Sequence, residues 1–377
     1  MKKIIFIIIA IIVIGGLWWG VSNKKTVQNT NPIRVGVAVD QTGYAATWGD
    51  SELKATELAL DAYRDKINQP VELVVENTKG TDVGTVNAVK KLIEIDHVQV
   101  ILGPTWADSF QGAMPIAGQA KVVLLSPSAA VETIKDKDKF SYFFSTWWPE
   151  ESEIKTLIDY MKSLGVTKFS PVNDQDPFNS QFVDTLVATI NSGSSGITVS
   201  SRDTVPIGTK DFRTIIAKIK SIKPSATFIQ LQDTSLMGPF MKQLKEQNVN
   251  ALVFGTPDAE NTDNITKFPG AFDGILYTFP SYDNDPSYKV LLDKLYARFG
   301  ADTSRGPSFV SGYNAATMLF EVLKDGARTG TEIRDALNKV HVPGVGVKDL
   351  SFSQKGQLKD VTFIMKTIRN NKFELVK

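Results

Sequence analysis

Short apolar runs alternate with amphipathic stretches along the chain from Ile33 onward. The run at 33–39, IRVGVAV, is rich in β-branched residues and is bounded by a proline and an aspartate, which predicts a strand. In the next stretch, 50–66, the less polar side chains recur at helical spacing, which predicts a helix with one buried face. A second strand is predicted at 71–77, VELVVEN. This order, with continuous apolar strands, is typical of a parallel sheet covered on both faces.

The same alternation restarts near residue 147 and continues to residue 326. Strands are predicted at 33–39, 71–77, 98–103, 122–126, 167–173, 197–205, 227–232, 251–255 and 274–280. Helices are predicted at 50–66, 84–96, 109–120, 150–164, 178–191, 210–222, 235–247, 286–299 and 306–326. The tail after Val347 contains further apolar runs at 350–353, 361–367 and 371–376. This pattern predicts an α/β fold of two doubly wound parallel-sheet lobes, with the strands ending at a shared crevice.

An uncharged run of 18 residues, from Ile4 to Val21, lies between lysines near the N-terminus. Its length and its two adjoining tryptophans suit a membrane-spanning anchor. A cleaved signal peptide is the alternative, although the only suitable cleavage site, GVS, is weak. Residues 1–25 are therefore predicted to be an anchor or a signal segment, and 26–32 a flexible linker. The remaining chain is expected outside the cytoplasm, held at the cell membrane or, after cleavage, periplasmic or secreted.

Charge and composition exclude several classes of partner and site. The net charge is +1; residues 1–25 hold four lysines and no other charge, and removing these leaves −3 for residues 26–377. Such a slightly acidic domain has no basic surface for nucleic acid. The absence of cysteine excludes disulfides and cysteine-based metal sites, and His97 and His341 do not stand in a metal-binding spacing. We therefore expect no metal site and no nucleic-acid partner.

No sequence motif indicates catalysis or a bound cofactor. The phosphate-binding loop GxxxxGK[ST], the nucleophile elbow GxSxG and a dinucleotide-binding GxGxxG after the first strand are all absent. Acidic residues are numerous, but no pair of them stands in the setting of a general acid and base. We therefore expect a binding protein without a cofactor rather than an enzyme.

Eight segments in a fixed order carry a resemblance to a known family. They are TGYAATWGD at 42–50, VILGPTWADS at 100–109, VVLLSPSAA at 122–130, FFSTWWPEE at 143–151, TKDFRTIIAKIK at 209–220, YDNDPSY at 282–288, GYNAATML at 312–319 and FSQKGQLK at 352–359. Each segment is weak alone. The ordered set, which covers nearly the whole chain from Ile33 to Lys377, resembles the Leu/Ile/Val-binding (branched-chain amino-acid-binding) proteins of the type I solute-binding fold.

The resemblance implies two lobes joined by three crossing strands near 143–147, 278–282 and 347–352. Lobe 1 would hold 33–146 plus 281–347, and lobe 2 would hold 147–280 plus 348–377. It further implies a monomeric, extracytoplasmic substrate-binding component of an ABC transporter. Such a protein clamps a small-molecule ligand between its lobes and delivers it to ABC permease subunits. A membrane-tethered sensing receptor of the same fold, coupled to a signalling partner, is the alternative.

The resemblance also implies where the charged ends of a ligand would lie. Family members hold the ligand's α-carboxylate with two hydroxyls, and these positions fall on Ala107 and Ala130 here. Each lost hydrogen bond to a charged group costs about 1.5–3 kcal/mol, which argues against an ordinary amino acid. Asp108 is either a ligand contact or a helix N-cap, and Ser128 is a further expected contact. Asp258 is the nearest match to the acid that meets the ligand's ammonium, or else a solvated loop acid.

Aromatic residues form the expected wall of the cleft. By the resemblance, the wall positions fall on Trp48, on Phe178, on Asp233 or Thr234, and near Phe309. Trp48 is interpreted either as a ligand contact or as core packing. Trp106, a large aromatic residue within a binding loop, and Trp147, beside the first crossing, are expected to join the wall. A cleft rich in rings and poor in hydroxyls suits an amino-acid-like ligand that is aromatic, aliphatic or cationic.

Overall fold

Two sheets with helices packed on them organise the chain in the computed structural model, which describes residues 31–43, 45–106, 110–134, 140–193, 195–231, 234–301, 303 and 308–376. The strands are β1 (Ile33–Val39), β2 (Val71–Asn77), β3 (Val100–Leu102), β4 (Val123–Ser126), β5 (Phe143–Ser145), β6 (Lys168–Asp174), β7 (Thr198–Val199), β8 (Asp203–Val205), β9 (Ala226–Gln230), β10 (Leu252–Gly255), β11 (Leu276–Pro280), β12 (Phe363–Arg369) and β13 (Lys372–Leu375). The helices are α1 (Ala46–Tyr63), α2 (Asp82–Glu94), α3 (Ala113–Ala120), α4 (Glu150–Ser163), α5 (Pro177–Asn191), α6 (Arg213–Ile222), α7 (Thr234–Glu246), α8 (Thr262–Lys267), α9 (Pro286–Phe299), α10 (Phe309–Lys324) and α11 (Gly330–Leu337).

The first sheet has the strand order β2-β1-β3-β4-β5, and all of its neighbouring strands run parallel. Its central strands are apolar because helices pack against them, and Val35 and Val37 are completely buried. The helix α10 comes from far along the chain and packs on α1. The two helices lie so close that a Cβ on Gly312 would be 3.2 Å from the Cβ of Ala55. The core around the first sheet therefore combines distant parts of the sequence.

The second sheet has the order β13-β12-β11-β10-β9-β6-β7, and β8 also pairs with β6. Its strands from β6 to β11 pair in parallel, as predicted. At one edge β12 and β13 run antiparallel, with Leu276 opposite Thr367. This edge is a hairpin in which Asn370 and Asn371 have φ of 48° and 56°, a left-handed conformation that asparagine tolerates. The α/β fold with parallel sheets is confirmed, and the antiparallel hairpin is its one departure within the described strands.

Two apolar stretches of the sequence do not form the strands expected of them. The single strand predicted at 197–205 is two shorter ones, β7 and β8, because the intervening residues leave the ladder while both ends pair with β6. The run at 350–353 forms only isolated bridges, to Val342 and Leu358, because no continuous partner strand lies beside it. Apolar character alone thus overstates the length of regular strand in these two places.

Two helices of the structure, α8 and α11, are absent from the sequence-based prediction. The helix α11 begins at a capping box, in which Thr329 and Glu332 each accept a hydrogen bond from the other's backbone N–H. The T-x-x-E spacing is readable in the sequence as a helix start. The helix α8 has a similar start, where the Asn261 side chain accepts a hydrogen bond from the N–H of Asp263. Capping residues would have found both helices.

The predicted membrane segment from Ile4 to Val21 lies outside the described residues. In the described part of the chain, no helix is long and apolar enough to cross a membrane. Strands β1 to β5 form one sheet and β6 to β13 the other. The boundaries of the two lobes stay a prediction.

Candidate functional site

A cleft lies where strands of the two sheets end. It contains about 740 Å³ of empty space, its open mouth included. Most lining residues follow the carboxyl ends of parallel strands, where the binding loops of such sheets meet. The lining residues are Trp48, Trp106, Ser128, Ala130, Trp147, Trp148, Glu153, Asp176, Phe178, Asn179, Phe182, Gln230, Thr256, Pro257 and Asp258.

Tryptophan rings form the wall on the side of the first sheet, which we call the aromatic wall (Trp48, Trp106, Trp147 and Trp148). Trp48, half-buried on the first turn of α1, meets the ring of Trp106 edge-on at 5.2 Å between centroids. It also lies 5.5 Å from the ring of Trp147. Trp147 and Trp148 stack on each other at 3.7 Å. The rings support one another, so each is held in place while part of the cluster faces the cleft.

The position of Trp106 depends on an unusual backbone. Gly103, directly after β3, has a φ of 113°, and a Cβ there would lie 2.1 Å from the carbonyl oxygen of Ala38. Only glycine allows the loop to pass β1 so closely. Trp106 itself has a φ of 64°, a left-handed conformation that is costly for a bulky residue. Its N–H donates a hydrogen bond of 3.0 Å to Ser128 Oγ. Strained backbone that holds a large ring in a cleft is a common sign of a binding site.

Backbone N–H groups in the loop after β4 donate hydrogen bonds to a side chain at the end of that strand. Ser126 Oγ accepts hydrogen bonds from the N–H groups of Ser128 at 3.3 Å and Ala129 at 3.1 Å. The same hydroxyl donates to the carbonyl oxygen of Pro104 at 2.8 Å. The loops after β3 and β4 are thereby fastened together, and Ala130 presents only a methyl group to the cleft.

A buried carboxyl group links the aromatic wall to the second sheet. Glu153, near the start of α4, accepts hydrogen bonds from Trp148 Nε1 at 3.1 Å and from Thr278 Oγ1 at 2.6 Å. Thr278 lies in β11, in the second sheet. Burial raises the pKa of Glu153 to about 7, although both hydrogen bonds act to lower it, and the charge of Asp258 raises it further.

A chain of directed hydrogen bonds forms the floor of the cleft on the side of the second sheet. Asp174 Oδ1, at the end of β6, accepts from Asn179 Nδ2 at 2.9 Å. Asn179 Oδ1 then accepts from Gln230 Nε2 at 2.7 Å. Asp176 caps α5, with its Oδ1 accepting from the N–H groups of Phe178 and Asn179 at 2.9 and 3.1 Å. The polar residues on this side are thus oriented by one another and by the helix start.

Asp258 lies in the loop after β10 and is partly exposed to the cleft. Thr256 Oγ1 donates to its Oδ2 at 3.3 Å. Burial raises the pKa of Asp258 to about 7, the bond from Thr256 opposes this, and the negative charges of Asp176 and Asp174 add to the rise. Three carboxyl groups, those of Glu153, Asp176 and Asp258, therefore share one small cleft.

No positive side chain of a described lining residue balances these acids. Among the described lining residues of the cleft there is no lysine, arginine or histidine. No group of three or more histidine, aspartate or glutamate side chains in the described part of the chain is arranged to hold a metal ion. Rings on one side and carboxyl groups on the other suit an organic solute with an apolar part. A family model described as periplasmic binding protein matches residues 32–372.

The chain belongs to the periplasmic binding protein family.

Relatives and solved structures agree with this membership. The Leu/Ile/Val-binding protein BraC3 of Rhizobium johnstonii is 24% identical over 309 residues, which cover 81% of each chain. The branched-chain amino-acid transporter substrate-binding protein LivJ of Streptococcus pneumoniae, solved with isoleucine, has a TM-score of 0.78 at 20% identity, over 92% of this chain and 100% of that chain. An ABC transporter substrate-binding protein of Sphaerobacter thermophilus has a TM-score of 0.82 at 19% identity, over 92% and 97%. The predicted resemblance is confirmed, and membership of this family agrees with the predicted class of solute-binding protein.

This periplasmic binding protein brings most of the sequence-predicted site residues together. The cleft is lined by Trp48, Trp106, Ser128, Ala130, Trp147, Phe178 and Asp258. Ligand contact by each of them stays a prediction. Their convergence means that loops distant in sequence share one cavity, as the predicted topology requires.

Of the four other predicted positions of this periplasmic binding protein, three lie outside the described residues and one lies in the core. Ala107, Asp108 and Asp233 lie outside the described residues. The structure does not bring Phe309 into the cleft, because this residue begins α10 and points into the core. It is 1% exposed and belongs to an apolar cluster that includes Leu58 and Leu295.

Several lining residues of this periplasmic binding protein were missed by sequence reasoning. They are Trp148, Glu153, Asp176, Asn179, Phe182, Gln230, Thr256 and Pro257. For Asp176 a signal existed, since aspartate before proline is a typical helix start, and helix starts after strands line such clefts. Glu153 and Gln230 carry no such signal, because a glutamate on a helix or a glutamine in a strand reads as an ordinary exposed residue.

Proposed function

We propose that this protein is a two-lobed clamp that closes on a small solute and hands it to the permease subunits of an ABC importer. One lobe comprises 33–146 plus 281–347, and the other comprises 147–280 plus 348–377. The observation that carries the proposal is the make-up of the cleft, whose lining comes from loops of both sheets. A ligand seated there touches both lobes only when they close, so its binding energy favours the closed state. The protein acts as a monomeric binding component and not as an enzyme.

The proposed ligand is an organic solute of about amino-acid size with an aromatic, aliphatic or cationic part. The tryptophan rings offer a large apolar surface, and the carboxyl groups opposite offer negative charge. Of the relatives named above, BraC3 is a Leu/Ile/Val-binding protein and LivJ was solved with isoleucine, which supports a ligand of about amino-acid size. Ala130 supplies no hydroxyl for a carboxylate, so we expect leucine, isoleucine and valine to bind at tens of micromolar or worse.

Native mass spectrometry combined with small-angle X-ray scattering tests this function. Purified residues 31–377 should carry a small-molecule adduct that is lost on denaturation. Adding the recovered compound to stripped protein should shrink the radius of gyration, because closure brings the lobes together. Trp48→Ala should weaken both effects, whereas Phe373→Ala, at the far edge of the second sheet, should preserve them. A protein that binds no solute and keeps one radius of gyration under all conditions contradicts the clamp.

We further propose that residues 1–25 anchor the protein in the cell membrane. The uncharged run from Ile4 to Val21 has the length of a spanning helix and lysines on both sides. Native protein should sediment with membranes, resist extraction by high salt and keep its original N-terminus. N-terminal sequencing that begins near Asn23 would instead identify the segment as a cleaved signal peptide.

A further inference from the structure

The floor of the cleft presents a hydrogen-bond acceptor that no described residue satisfies. Gln230 is completely buried, and its Nε2 donates to Asn179 Oδ1. The orientation of both amides follows from Asp174, which can only accept and therefore faces Asn179 Nδ2. Gln230 Oε1 is left without a hydrogen-bond partner among the described residues. A buried carbonyl oxygen in this state favours a ligand that brings an N–H or O–H donor.

Carboxyl groups close to Gln230 make a positively charged donor the better match. Asp176, Asp258 and Glu153 line the same cleft. Hydrogen bonds between a cationic donor and a carboxylate are stronger than those between neutral groups. Burial and, to a smaller extent, repulsion from Asp176 and Asp174 raise the Asp258 pKa in the empty cleft, and a bound cation would offset both effects.

Several described backbone N–H groups beside the cleft, which could otherwise hold a carboxylate, already donate hydrogen bonds inside the protein. The N–H groups of Ser128 and Ala129 donate to Ser126 Oγ. The N–H of Trp147 donates to Ser145 Oγ at 3.0 Å. The start of α5, a natural place for an anion, is occupied by the carboxylate of Asp176 itself. With no basic side chain among the described lining residues, an anionic group would meet acceptors and no counter-charge.

The aromatic wall, on the opposite side of the cleft, also favours a cation with an apolar part. Tryptophan faces attract cations through the negative electrostatic potential of the ring, and they pack well against apolar groups. The ring clusters around Trp48 and Trp147 therefore suit an apolar body that carries a positive charge.

We propose that the cleft takes an organic cation with N–H donors and no carboxylate, namely a primary amine or a guanidine with an apolar body. This inference rests on the proposed solute-binding function and narrows its ligand class. The cationic N–H groups bond to Asp258, Asp176 and Gln230 Oε1, and the apolar body lies against the aromatic wall.

Matched pairs of compounds that differ by one group test the inference on the stripped protein by calorimetry. The pairs are 3-methylbutylamine with leucine, 2-phenylethylamine with phenylalanine, and agmatine with arginine; 2-phenylethanol is the neutral control. Each amine should bind at least about tenfold more tightly than its amino acid, and 2-phenylethylamine similarly more tightly than 2-phenylethanol. An amino acid that binds as tightly as its amine overturns the inference, as does the neutral alcohol matching 2-phenylethylamine.

Scattering measurements on the same samples separate this inference from the function on which it rests. If an amino acid or a neutral compound binds and closes the lobes while the amines do not, the clamp stands and the cationic ligand is wrong. If no compound of the panel binds at about 5 mM and no adduct is found on purified protein, both proposals fail.

A variant that removes the charge of Asp258 gives a second test, and this test does not depend on which apolar group the ligand carries. Asp258→Asn should weaken binding of 2-phenylethylamine by about ten- to a hundredfold and leave 2-phenylethanol unchanged. The matched control is Asp293→Asn, which removes the same charge from an exposed position on α9 and should have no effect. Equal losses for amine and alcohol in Asp258→Asn would show a structural role and would overturn the assignment of Asp258.

Discussion

The two walls of the cleft are built from different chemistry. On the side of the first sheet, the lining consists of rings, a methyl group and a serine hydroxyl, with the loop donors tied back into the protein. On the side of the second sheet, carboxyl and amide groups form an oriented network. The first wall offers apolar contact area without directional hydrogen bonds. The second wall offers directional hydrogen bonds and negative charge. A ligand that satisfies only one wall gains little from closure, so selectivity depends on both halves of the molecule at once.

The two walls also differ in how they affect the stability of the protein when no ligand is bound. Rings of the aromatic wall are stabilised by one another whether or not a ligand is bound. The acids opposite are destabilised by burial and by their neighbours, which raises the pKa values of Glu153 and Asp258 to about 7. The aromatic wall is therefore ready in advance, whereas the acidic side gains its full stability from a bound cation.

The largest expected loss of binding comes from removing a ring of the aromatic wall. Trp48→Ala should weaken binding of the tightest amine by about 2–4 kcal/mol, because an aromatic anchor contributes this much when it faces a ligand. The melting temperature of the empty protein should change little, since Trp48 is half-buried. Calorimetry and thermal unfolding measure the two quantities. A large fall in melting temperature, equivalent to about 3–5 kcal/mol, would mean that Trp48 is core and not part of the wall.

Adding hydroxyls at the two positions that the resemblance assigns to the ligand's carboxylate should let the protein bind a carboxylate. Ala107→Ser with Ala130→Thr should improve leucine binding by about 3–6 kcal/mol, because each of the two hydroxyls can donate to an anion. Titration of leucine and 3-methylbutylamine into this variant compares the two ligands directly. Ala129→Ser, next to one of the changed positions but absent from the lining, serves as the control. No gain for leucine would show that the two changed positions do not face the ligand's carboxylate.

A smaller effect should follow from pH, through the acidic side alone. Asp258 has a pKa of about 7 and faces Glu153, Asp174 and Asp176. Its ionised form binds a cation, and its ionised fraction rises from about a tenth to about nine tenths between pH 6 and pH 8. Affinity for 2-phenylethylamine, which stays protonated in this range, should therefore rise up to about tenfold. In Asp258→Asn the dependence should become shallower; an unchanged slope there would assign it to another group.

The smallest effect concerns the stability of the empty protein. Burial raises the pKa of Glu150 to about 9 and those of Glu52 and Glu153 to about 7. A carboxyl whose pKa is raised by folding contributes stability that is complete below its unfolded pKa and is lost as the pH rises through its folded pKa. The melting temperature should thus fall by several degrees between about pH 5.5 and about pH 8.5. Glu150→Gln should reduce this fall, and a melting temperature that rises with pH would contradict the raised values.

More residues of the aromatic wall than of the acidic side could be predicted from the sequence. Trp48 and Asp258 were assigned through the family resemblance. Trp106 and Trp147 were predicted because large rings in a binding loop or beside a crossing strand stand out in a sequence. Glu153 and Gln230 could not be found, because their roles depend on burial and on partners such as Thr278 and Asn179 that lie far away in the sequence.

The parallel sheets were more predictable from the sequence than the antiparallel hairpin at the edge of the second sheet. Strand and helix periodicity gave the parallel sheets, since burial on both faces leaves long apolar runs. The antiparallel hairpin of β12 and β13 was not predicted, because periodicity carries no information on strand direction. Phe309 was assigned to the wall from its place in the resemblance, whereas packing of α10 on α1 turns it into the core.

The pairing of distant segments bears on how the protein leaves the cytoplasm. Leu276 pairs with Thr367 across β11 and β12, and Gly312 lies against Ala55 between α10 and α1. Neither sheet can complete its packing until the last part of the chain has been synthesised, and such long-range contacts form slowly. During synthesis the chain therefore remains incompletely folded, which is the state that a narrow translocation channel accepts. The order of segments is thus compatible with crossing a membrane before folding is complete.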